Sequence, residues 1–350
     1  MASKRNIPWR VLSTGQSPVN FWKQWDDFGL PREQALILQE STEDLRSSRK
    51  AFSWFFQAML KRKRDLIKSL PHISMDDCWI VHGDTLSTLV GSRYAKTLGI
   101  RLAHVEAGLR SSSILSPFPE EITRRMVSRW AQWHFTPGEI PTKAIENSHH
   151  LIDSHIVNTH HNTLLDTLKL QLGREFTENT SSGTVLVNIH RFENINNPSK
   201  WKSIVEIVER AAKDRRVLFV MHPITAHKFA IDKSSFEKLK SANVSFLERQ
   251  VFSSFIRMLH NSDFVISDGG SNQEECHYLG KPCLILRSHT ERFEGLDGCC
   301  LLSEFKADKI DRFLDDPASW RKSPVKAVEY PTEIIMDQLS KGKGGVHRPA

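Results

Sequence analysis

Acidic residues follow two apolar, strand-like runs in the first half of the sequence. The run CWIVHGDT ends at Asp84 and Thr85, and the apolar run RLAHV is followed by Glu106. A carboxylate at the end of a buried strand is costly unless it has a partner or a chemical task. Asp84 alone is equally well explained as a helix N-cap. Glu106 is followed by Ala-Gly rather than by a capping pattern, which favours general acid–base chemistry.

Two further carboxylates, Glu120 and Glu121, open the helical stretch EEITRRMVSRWAQ. Carboxylates in a first helical turn commonly do no more than interact with the helix dipole, and this is the simpler interpretation of Glu121. Their position soon after Glu106 nevertheless predicts that they lie near the same acidic site.

In the second half, the run DFVISD is followed by a glycine turn and the start of a helix. Gly269 and Gly270 form the turn, and Ser271 opens the helix. Backbone N–H groups and the helix dipole at such a turn can bind a phosphate. A tight turn with Ser271 as N-cap explains the pattern equally well. Glu275, one turn into the helix, could reach the hydroxyls of a ribose.

Basic side chains follow three other strand-like runs of the second half. His190 and Arg191 follow TVLVNI, His222 follows RVLFVM, and Arg292 lies in TERFE after PCLILR. One histidine is usually a core residue, but two at equivalent strand ends beside an arginine indicate a diphosphate site. Arg292 suits bidentate phosphate contact, with a surface ion pair as the simpler alternative.

The elements that must position these residues alternate between strand-like and helical stretches, which predicts parallel sheets flanked by helices. Residues 43–70 have the length and apolar spacing of one long helix, and EFTENTSSG is composed like a linker. We predict a Rossmann-like domain at 1–168, a second at 169–320, and a C-terminal helix that packs back toward the first domain, with a basic tail, at 321–350. Ligands of such sheets bind beyond the carboxyl ends of the strands.

The eleven strand-like runs are WRVLSTG, ALILQ, CWIVHGD, RLAHVEAG, HFTPGE, LIDSHIVNT, TVLVNIH, RVLFVMHP, VSFLER, DFVISD and PCLILR. Each of the last four is expected to be followed by a helical segment.

Bulk composition excludes several classes of protein. The 350 residues carry a formal charge of +7, but the basic residues are spread along the chain apart from residues 61–64, so we expect no nucleic-acid partner. No apolar run reaches the ~18 residues of a membrane span, and a cytoplasmic protein is expected. The five cysteines show neither a C-x-x-C pair nor zinc-ligand spacing, so no metal is expected. Cys78 and Cys283 are predicted to be small buried hydrophobes.

The segments HGDT, HVEAGLRS, SPFPEE and HR-x-EN, together with the series DGG-x-x-QEE, LGKP and TERFE, occur in one characteristic order. This sequence resembles the UDP-N-acetylglucosamine 2-epimerase family from STGQ to TERFEGLDG. The resemblance implies a GT-B fold with a cleft between two Rossmann-like domains, a UDP-N-acetylhexosamine substrate, no cofactor and a homodimer. It implies inversion at C2 by anti elimination of UDP to 2-acetamidoglucal and re-addition of UDP, in surface polysaccharide or nucleotide-sugar synthesis.

By the same resemblance, Asp84, Glu106 and Glu120 are the expected catalytic carboxylates, and His190 acts near the leaving group. The assignment of acid and base among the carboxylates stays open. The expected substrate-binding residues are Gln250 and Phe255 at the uracil, Gly269, Gly270 and Ser271 at the phosphates, Glu275 at the ribose, Arg292 at the diphosphate, and Arg110, Arg191 and His222 elsewhere in the site.

The sequence departs from the family pattern at three places. It has no Gly-x-Arg-Pro-Glu segment, and WRVLSTG matches the family's second strand, so a central strand–helix unit is expected to be missing. A chain start upstream of residue 1 is the favoured explanation, and a degenerate or partnered chain is the other. GQS replaces GQH, and DGGSNQEE replaces DSGG-x-QEE. The alternatives are a hydrolysing epimerase that releases N-acetylmannosamine and UDP, a UDP-sugar-binding protein without catalysis, and a GT-B glycosyltransferase.

Overall fold

The computed structural model describes residues 2–38, 48–70, 73–111, 119–148, 154–178, 181–290, 292–296 and 298–341. The chain forms two compact units. Unit 1 consists of Met1–Asp166 and Val328–Ala350, and unit 2 consists of Thr167–Ala327. In the described part of the chain, no helix is both long and apolar enough to cross a membrane.

The strands in chain order are β1 Val11–Ser13, β2 Ala35–Ile37, β3 Cys78–His82, β4 Arg101–Val105, β5 Trp133–Thr136, β6 His155–Asn158, β7 Thr184–Asn188, β8 Arg216–Val220, β9 Val244–Leu247, β10 Phe264–Ser267, β11 Cys283–Ile285 and β12 Cys300–Leu302. The α-helices are α1 Pro18–Asp27, α2 Ser48–Met59, α3 Lys63–Ser69, α4 Leu86–Leu98, α5 Glu120–Trp130, α6 Glu139–Glu146, α7 Leu164–Leu172, α8 Phe192–Ile195, α9 Pro198–Ala211, α10 Pro223–Ile231, α11 Lys233–Ser241, α12 Phe252–Asn261, α13 Gly270–Leu279, α14 Ala307–Asp315 and α15 Pro331–Lys341.

The described strands of unit 1 form two separate parallel sheets. One is the pair β1-β2, and the other has the order β3-β4-β5-β6. Strand β4 is almost wholly buried, whereas β3 is half-exposed along its length. Among the described residues, no strand pairs with the second edge of β1 or of β3.

The carboxyl ends of β1 and β3 nevertheless meet at the start of α4. Ser87, in the first turn of α4, lies 2.8 Å from the hydroxyl of Thr14, and it donates a 2.6 Å hydrogen bond to Gln16 Oε1. Because Thr14 and Gln16 follow β1 and Ser87 follows β3, these contacts link the segments that follow the two strands.

Unit 2 contains one six-stranded parallel sheet of order β12-β11-β10-β7-β8-β9. The strand order reverses between β7 and β10, and such a switch point leaves a crevice at the carboxyl ends of the two strands. The apolar faces of β7, β8 and β10 are fully buried against α9 and neighbouring helices. The parallel sheets and flanking helices of both units confirm the predicted fold class.

The expected long helix over residues 43–70 is wrong within its described part, which forms α2 and α3 with a break at residues 60–62. Side chains of α4 explain the break. Arg93 Nε donates to the carbonyl of Met59 at 2.7 Å, and the Tyr94 hydroxyl donates to that of Ala58 at 2.9 Å. These donors satisfy carbonyls that a continuous helix would have used. Residues 43–47 lie outside the described residues.

Two smaller expectations also fail. The run PCLILR is not followed by a helix within the described residues: β11 is followed along the chain by β12, which the sequence did not predict. Cys78 is only half-buried, although Cys283 is fully buried as predicted. The 3-10 helix Gly173–Thr177 overlaps the start of the linker-like stretch, and its Phe176 is buried.

Candidate active site

Asp84 lies just beyond the carboxyl end of β3 and does not cap the following helix. Thr85 is the N-cap of α4, since its hydroxyl accepts a hydrogen bond from Thr88 N at 3.2 Å. The N-cap interpretation of Asp84 is therefore wrong. Its carboxylate instead forms a 2.6 Å ion pair with Arg124 Nη2 and stays a quarter exposed.

Glu106 lies just beyond the carboxyl end of the neighbouring strand β4, with a backbone φ of 64°. A left-handed conformation is unfavourable for a residue with a long side chain, and such strain concentrates at functional sites. Asn162 Nδ2 donates to Glu106 Oε1 at 2.7 Å. His82 Nδ1 lies 3.9 Å from Glu106 Oε2, and the carboxylate is only 9% exposed. No motif in the sequence predicted that Asn162 would be a partner of Glu106.

The two glutamates at the start of α5 differ in their surroundings. Glu120 Oε2 is buried, and among the described residues it has no hydrogen-bond partner. Glu121 is fully buried and forms ion pairs with Arg124 and Arg125. Its interaction with the dipole of α5 is therefore not its only role. Arg110, whose pKa is lowered by burial, donates to Ser128 Oγ at 3.4 Å.

These contacts bring the predicted acidic residues of unit 1 to one edge of its sheet. Asp84 and Glu106 follow paired strands, and a Cβ atom on Gly83 would lie 3.0 Å from Glu106 Oε2. Glu120 lies one helical turn before Arg124, the residue that contacts Asp84.

In unit 2, Asp268 is the centre of a hydrogen-bonded cluster between β7 and β10. Its fully buried carboxylate accepts from His190 N at 2.9 Å, from Arg191 N at 3.0 Å and from Asn194 Nδ2 at 3.0 Å. Arg191 Nε also donates to the Asp268 carbonyl at 2.8 Å. Asp268 thus fixes the backbone that carries His190 and Arg191, a role that its place in the motif did not reveal.

The two histidines of unit 2 lie side by side, with ring centroids 5.5 Å apart. Burial lowers the pKa of His190, and the negative charge of Asp268 opposes that effect. Burial, followed by the charges of His190 and Arg249, lowers the pKa of His222 to about 4. Both rings are therefore neutral at neutral pH. His222 is also the N-cap of α10, which is its structural role.

The glycine turn closes tightly against this cluster. Gly269 is the N-cap of α13, so the alternative of Ser271 as N-cap is wrong. A Cβ atom on Gly269 would come within 2.8 Å of His190 Cε1. Gly270 and Ser271 begin the helix, where backbone N–H groups have no intrahelical acceptor. Ser271 is exposed, so this helix start is open to an anion.

Arg292 and Glu275 have partners within unit 2. Arg292 Nη1 forms a 2.6 Å ion pair with Glu274 Oε2. Glu275 accepts a 2.8 Å hydrogen bond from Asn272, and burial raises the pKa of Glu275 to about 7. Only 5% of the Glu275 residue is exposed.

The remaining motif residues are held by local contacts. Gln250 Nε2 donates to the Glu248 carbonyl at 2.8 Å, and Phe255 is buried in the first turn of α12. Lys281 of the LGKP motif is buried, and its ammonium group donates to the carbonyls of His260 and Ser262 at 2.6 and 2.8 Å. Lys281 therefore caps the end of α12. Within the described residues, no group of three or more His, Cys, Asp or Glu side chains could hold a metal ion.

Comparison with known proteins gives a consistent family assignment. The sequence model of the family described as UDP-N-acetylglucosamine 2-epimerase matches residues 2–327. The UDP-N-acetylglucosamine 2-epimerase of Neisseria meningitidis serogroup A is 34% identical over 69% of this chain and 68% of its own. That of Campylobacter jejuni is 26% identical over 98% of this chain and 92% of its own.

Two solved structures have the same fold. The UDP-GlcNAc 2-epimerase from Neisseria meningitidis bound to UDP-GlcNAc superposes with a TM-score of 0.76 at 25% identity, covering 96% of this chain and 92% of that one. The Methanocaldococcus jannaschii enzyme in complex with UDP-GlcNAc and UDP gives 0.75 at 25% identity, covering 97% and 94%.

Proposed function

Because the chain belongs to the UDP-N-acetylglucosamine 2-epimerase family, we propose that it interconverts UDP-GlcNAc and UDP-ManNAc. The reaction is an anti elimination followed by re-addition. A base removes the C2 proton, the bond from C1 to the diphosphate oxygen breaks, and UDP leaves 2-acetamidoglucal. UDP then attacks C1 while an acid delivers a proton to the opposite face of C2. No redox cofactor is needed.

One observation carries this proposal: the carboxylates of Asp84 and Glu106 are held at the carboxyl ends of paired strands, each by a buried partner. Thr85 rather than Asp84 caps α4, and Glu106 has a strained, left-handed backbone just beyond β4. We assign proton removal and return at C2 to Asp84, Glu106 and Glu120, whose Oε2 has no partner among the described residues.

We assign the leaving UDP to unit 2. Arg191 and Arg292 supply positive charge, and the start of α13 supplies N–H donors for the diphosphate. His190, which is neutral at neutral pH, donates or accepts a hydrogen bond near the leaving oxygen rather than acting as a fixed cation. Arg110 and His222 are further candidates for substrate contact, as are Gln250 and Phe255 at the uracil and Glu275 at the ribose.

We also propose that the protein is a cytoplasmic homodimer that serves surface polysaccharide or nucleotide-sugar synthesis. An exposed apolar patch supports the dimer. It consists of Phe52 and Phe56 on α2 and Leu60 just after the helix, which are 64%, 47% and 73% exposed. Analytical ultracentrifugation of the wild type and of Phe56→Glu tests it. We expect a dimer and a monomer respectively, and a monomeric wild type would contradict the proposal.

The function is tested by incubating the protein with UDP-GlcNAc and following the anomeric protons by NMR. Appearance of UDP-ManNAc without free sugar supports the epimerase. Free N-acetylmannosamine with an equal amount of UDP would assign the hydrolysing reaction instead. Unchanged UDP-GlcNAc in the presence of protein that binds UDP would refute catalysis.

A further inference from the structure

Arg124 joins two carboxylates that belong to different elements of unit 1. Its Nη2 atom lies 2.6 Å from Asp84 Oδ2, and its Nη1 atom lies 3.5 Å from Glu121 Oε2. The side chain of Arg124 is only 7% exposed. A buried guanidinium group requires counter-charges, and the two carboxylates supply them from opposite ends of its fork.

Glu121 has no capacity left for a substrate. Its side chain is fully buried, and Arg125 Nε donates to its Oε1 atom at 2.9 Å. The backbone N–H and the hydroxyl of Ser111 donate to its Oε2 atom at 3.1 and 3.2 Å. Glu121 therefore ties the first turn of α5 to the segment after β4 and fixes the position of Arg124.

Asp84, in contrast, has a conformation that its own segment does not determine. It follows Gly83, whose φ is 68°, and the capping position is taken by Thr85. Among the described residues, the ion pair with Arg124 is the contact that holds the Asp84 carboxylate beyond the end of β3. An acid or base must lie within hydrogen-bond reach of the proton it moves, and small displacements are costly.

We propose that Arg124 and Glu121 are positioning residues for Asp84: Glu121 anchors Arg124, and Arg124 holds the Asp84 carboxylate in its reactive orientation. This inference rests on the proposed function, because it assigns Asp84 a part in the reaction at C2. Neither residue touches the substrate.

Arg125 offers a matched control on the same helix. It shares the partner Glu121 with Arg124, but its side chain is 49% exposed and has no described contact with Asp84. Kinetics of UDP-GlcNAc epimerisation should be measured for Arg124→Met, Arg124→Lys, Glu121→Gln and Arg125→Met, each checked for folding by circular dichroism and thermal unfolding.

We expect Arg124→Met to lower kcat by about 100-fold with KM changed less than about twofold, since a displaced group loses rate rather than binding. Arg124→Lys should recover part of kcat because it restores the charge, and Glu121→Gln should fall between the wild type and Arg124→Met. Arg125→Met should stay within about twofold of the wild type. Wild-type kcat in Arg124→Met would overturn the proposal, as would equal losses in Arg124→Met and Arg125→Met.

The ion pair can be tested without activity, which separates this inference from the proposed function. The unfolding free energies of Asp84→Ala, Arg124→Ala and the double variant form a thermodynamic cycle. We expect the double variant to lose less stability than the two single losses added together. Additive losses would overturn the proposal even if the wild type is a working epimerase. If the wild type is inactive but the losses of unfolding free energy are not additive, the proposed function is refuted while the ion pair between Asp84 and Arg124 is supported.

Discussion

Single side chains in this protein take their roles from partners far away in sequence. Asp84 depends on Arg124, Glu106 on Asn162, and Asp268 on the residues after β7. Each pair joins residues at least forty positions apart. The protein therefore positions these side chains through tertiary contacts.

Two buried histidines predict how stability depends on pH. His104 and His134 are paired across β4 and β5 and are fully buried. Burial is the main cause that lowers the pKa of His104 to about 3 and that of His134 to about 4, from an ordinary 6.5. The unfolded chain therefore binds protons that the folded chain does not, so stability is complete above about pH 6.5 and is lost as pH falls toward 4.

The variant His134→Gln should remove one of these proton-binding differences. Between about pH 6 and pH 5, the slope of unfolding free energy against pH should decrease by about 1.4 kcal/mol per unit. Urea unfolding at several pH values measures it. His227→Gln, at an exposed position on α10, is the control and should keep the wild-type slope. An unchanged slope in His134→Gln would contradict the assignment.

At the residue scale, the sequence correctly located the strand ends that carry the candidate site residues. Asp84, Glu106, His190 and Gly269 all lie where their motifs predicted, at carboxyl ends of strands or in the turn that follows. The sequence could not show which of the two glutamates, Glu120 or Glu121, is held in buried ion pairs. The answer depends on Arg124 and on Ser111, which the folded chain brings close to Glu121.

Secondary-structure elements followed the sequence where local pattern dominates. Apolar, β-branched runs formed strands, and Gly99 ended α4 in a left-handed conformation. The local sequence pattern did not predict elements whose bounds depend on hydrogen bonds from another part of the chain. Arg93 and Tyr94 terminate α2 from α4, and β12 is a three-residue strand that exists through its pairing with β11.

The turn between β10 and α13 predicts a sharp steric limit. Gly269→Ala would place a Cβ atom 2.8 Å from His190 Cε1 and 2.9 Å from Asn272 Oδ1. We expect a loss of about 1–3 kcal/mol in unfolding free energy and weaker UDP binding, because the turn must move. Gly298→Ala is the control, since its nearest new neighbour is at 3.7 Å. Calorimetry measures the unfolding free energy and the UDP affinity of both variants. Equal values for Gly269→Ala and Gly298→Ala would contradict this prediction.

The exposed strand β3 should tolerate a charged side chain better than its buried neighbour β4. Ile80 is 50% exposed, and its partner in the register, Ala103 on β4, is fully buried. Ile80→Lys should change unfolding free energy by less than about 0.5 kcal/mol and should reduce aggregation, because a lysine on an edge strand discourages pairing with other chains. Ala103→Lys should prevent folding. Light scattering during heating measures the effect, and faster aggregation of Ile80→Lys would contradict it.

At the scale of the whole molecule, the proposed chemistry divides between the two units. Unit 1 supplies the carboxylates, and unit 2 supplies the groups assigned to UDP. UDP at one hundred times its Kd should raise the unfolding free energy of the wild type by about 2.7 kcal/mol. Asp84→Asn should keep this stabilisation, and Arg292→Lys, which loses the bidentate fork, should reduce it.

Thermal unfolding with and without UDP measures how much UDP stabilises each variant. The ion pair of Arg292 with Glu274 makes lysine the suitable replacement, since it retains the charge beside a buried carboxylate. Loss of UDP stabilisation in Asp84→Asn as complete as in Arg292→Lys would contradict the assignment of UDP to unit 2.

The most direct test of the central claim is deuterium incorporation at C2 of UDP-GlcNAc in deuterated water, followed by NMR. We predict rapid incorporation by the wild type and by Asp76→Asn, an exposed site at the other end of β3. Asp84→Asn and Glu106→Gln should slow it by about 100-fold or more, because we propose that both carboxylates take part in proton transfer at C2. No incorporation by a wild type that binds UDP, or wild-type rates in both carboxylate variants, would contradict the claim.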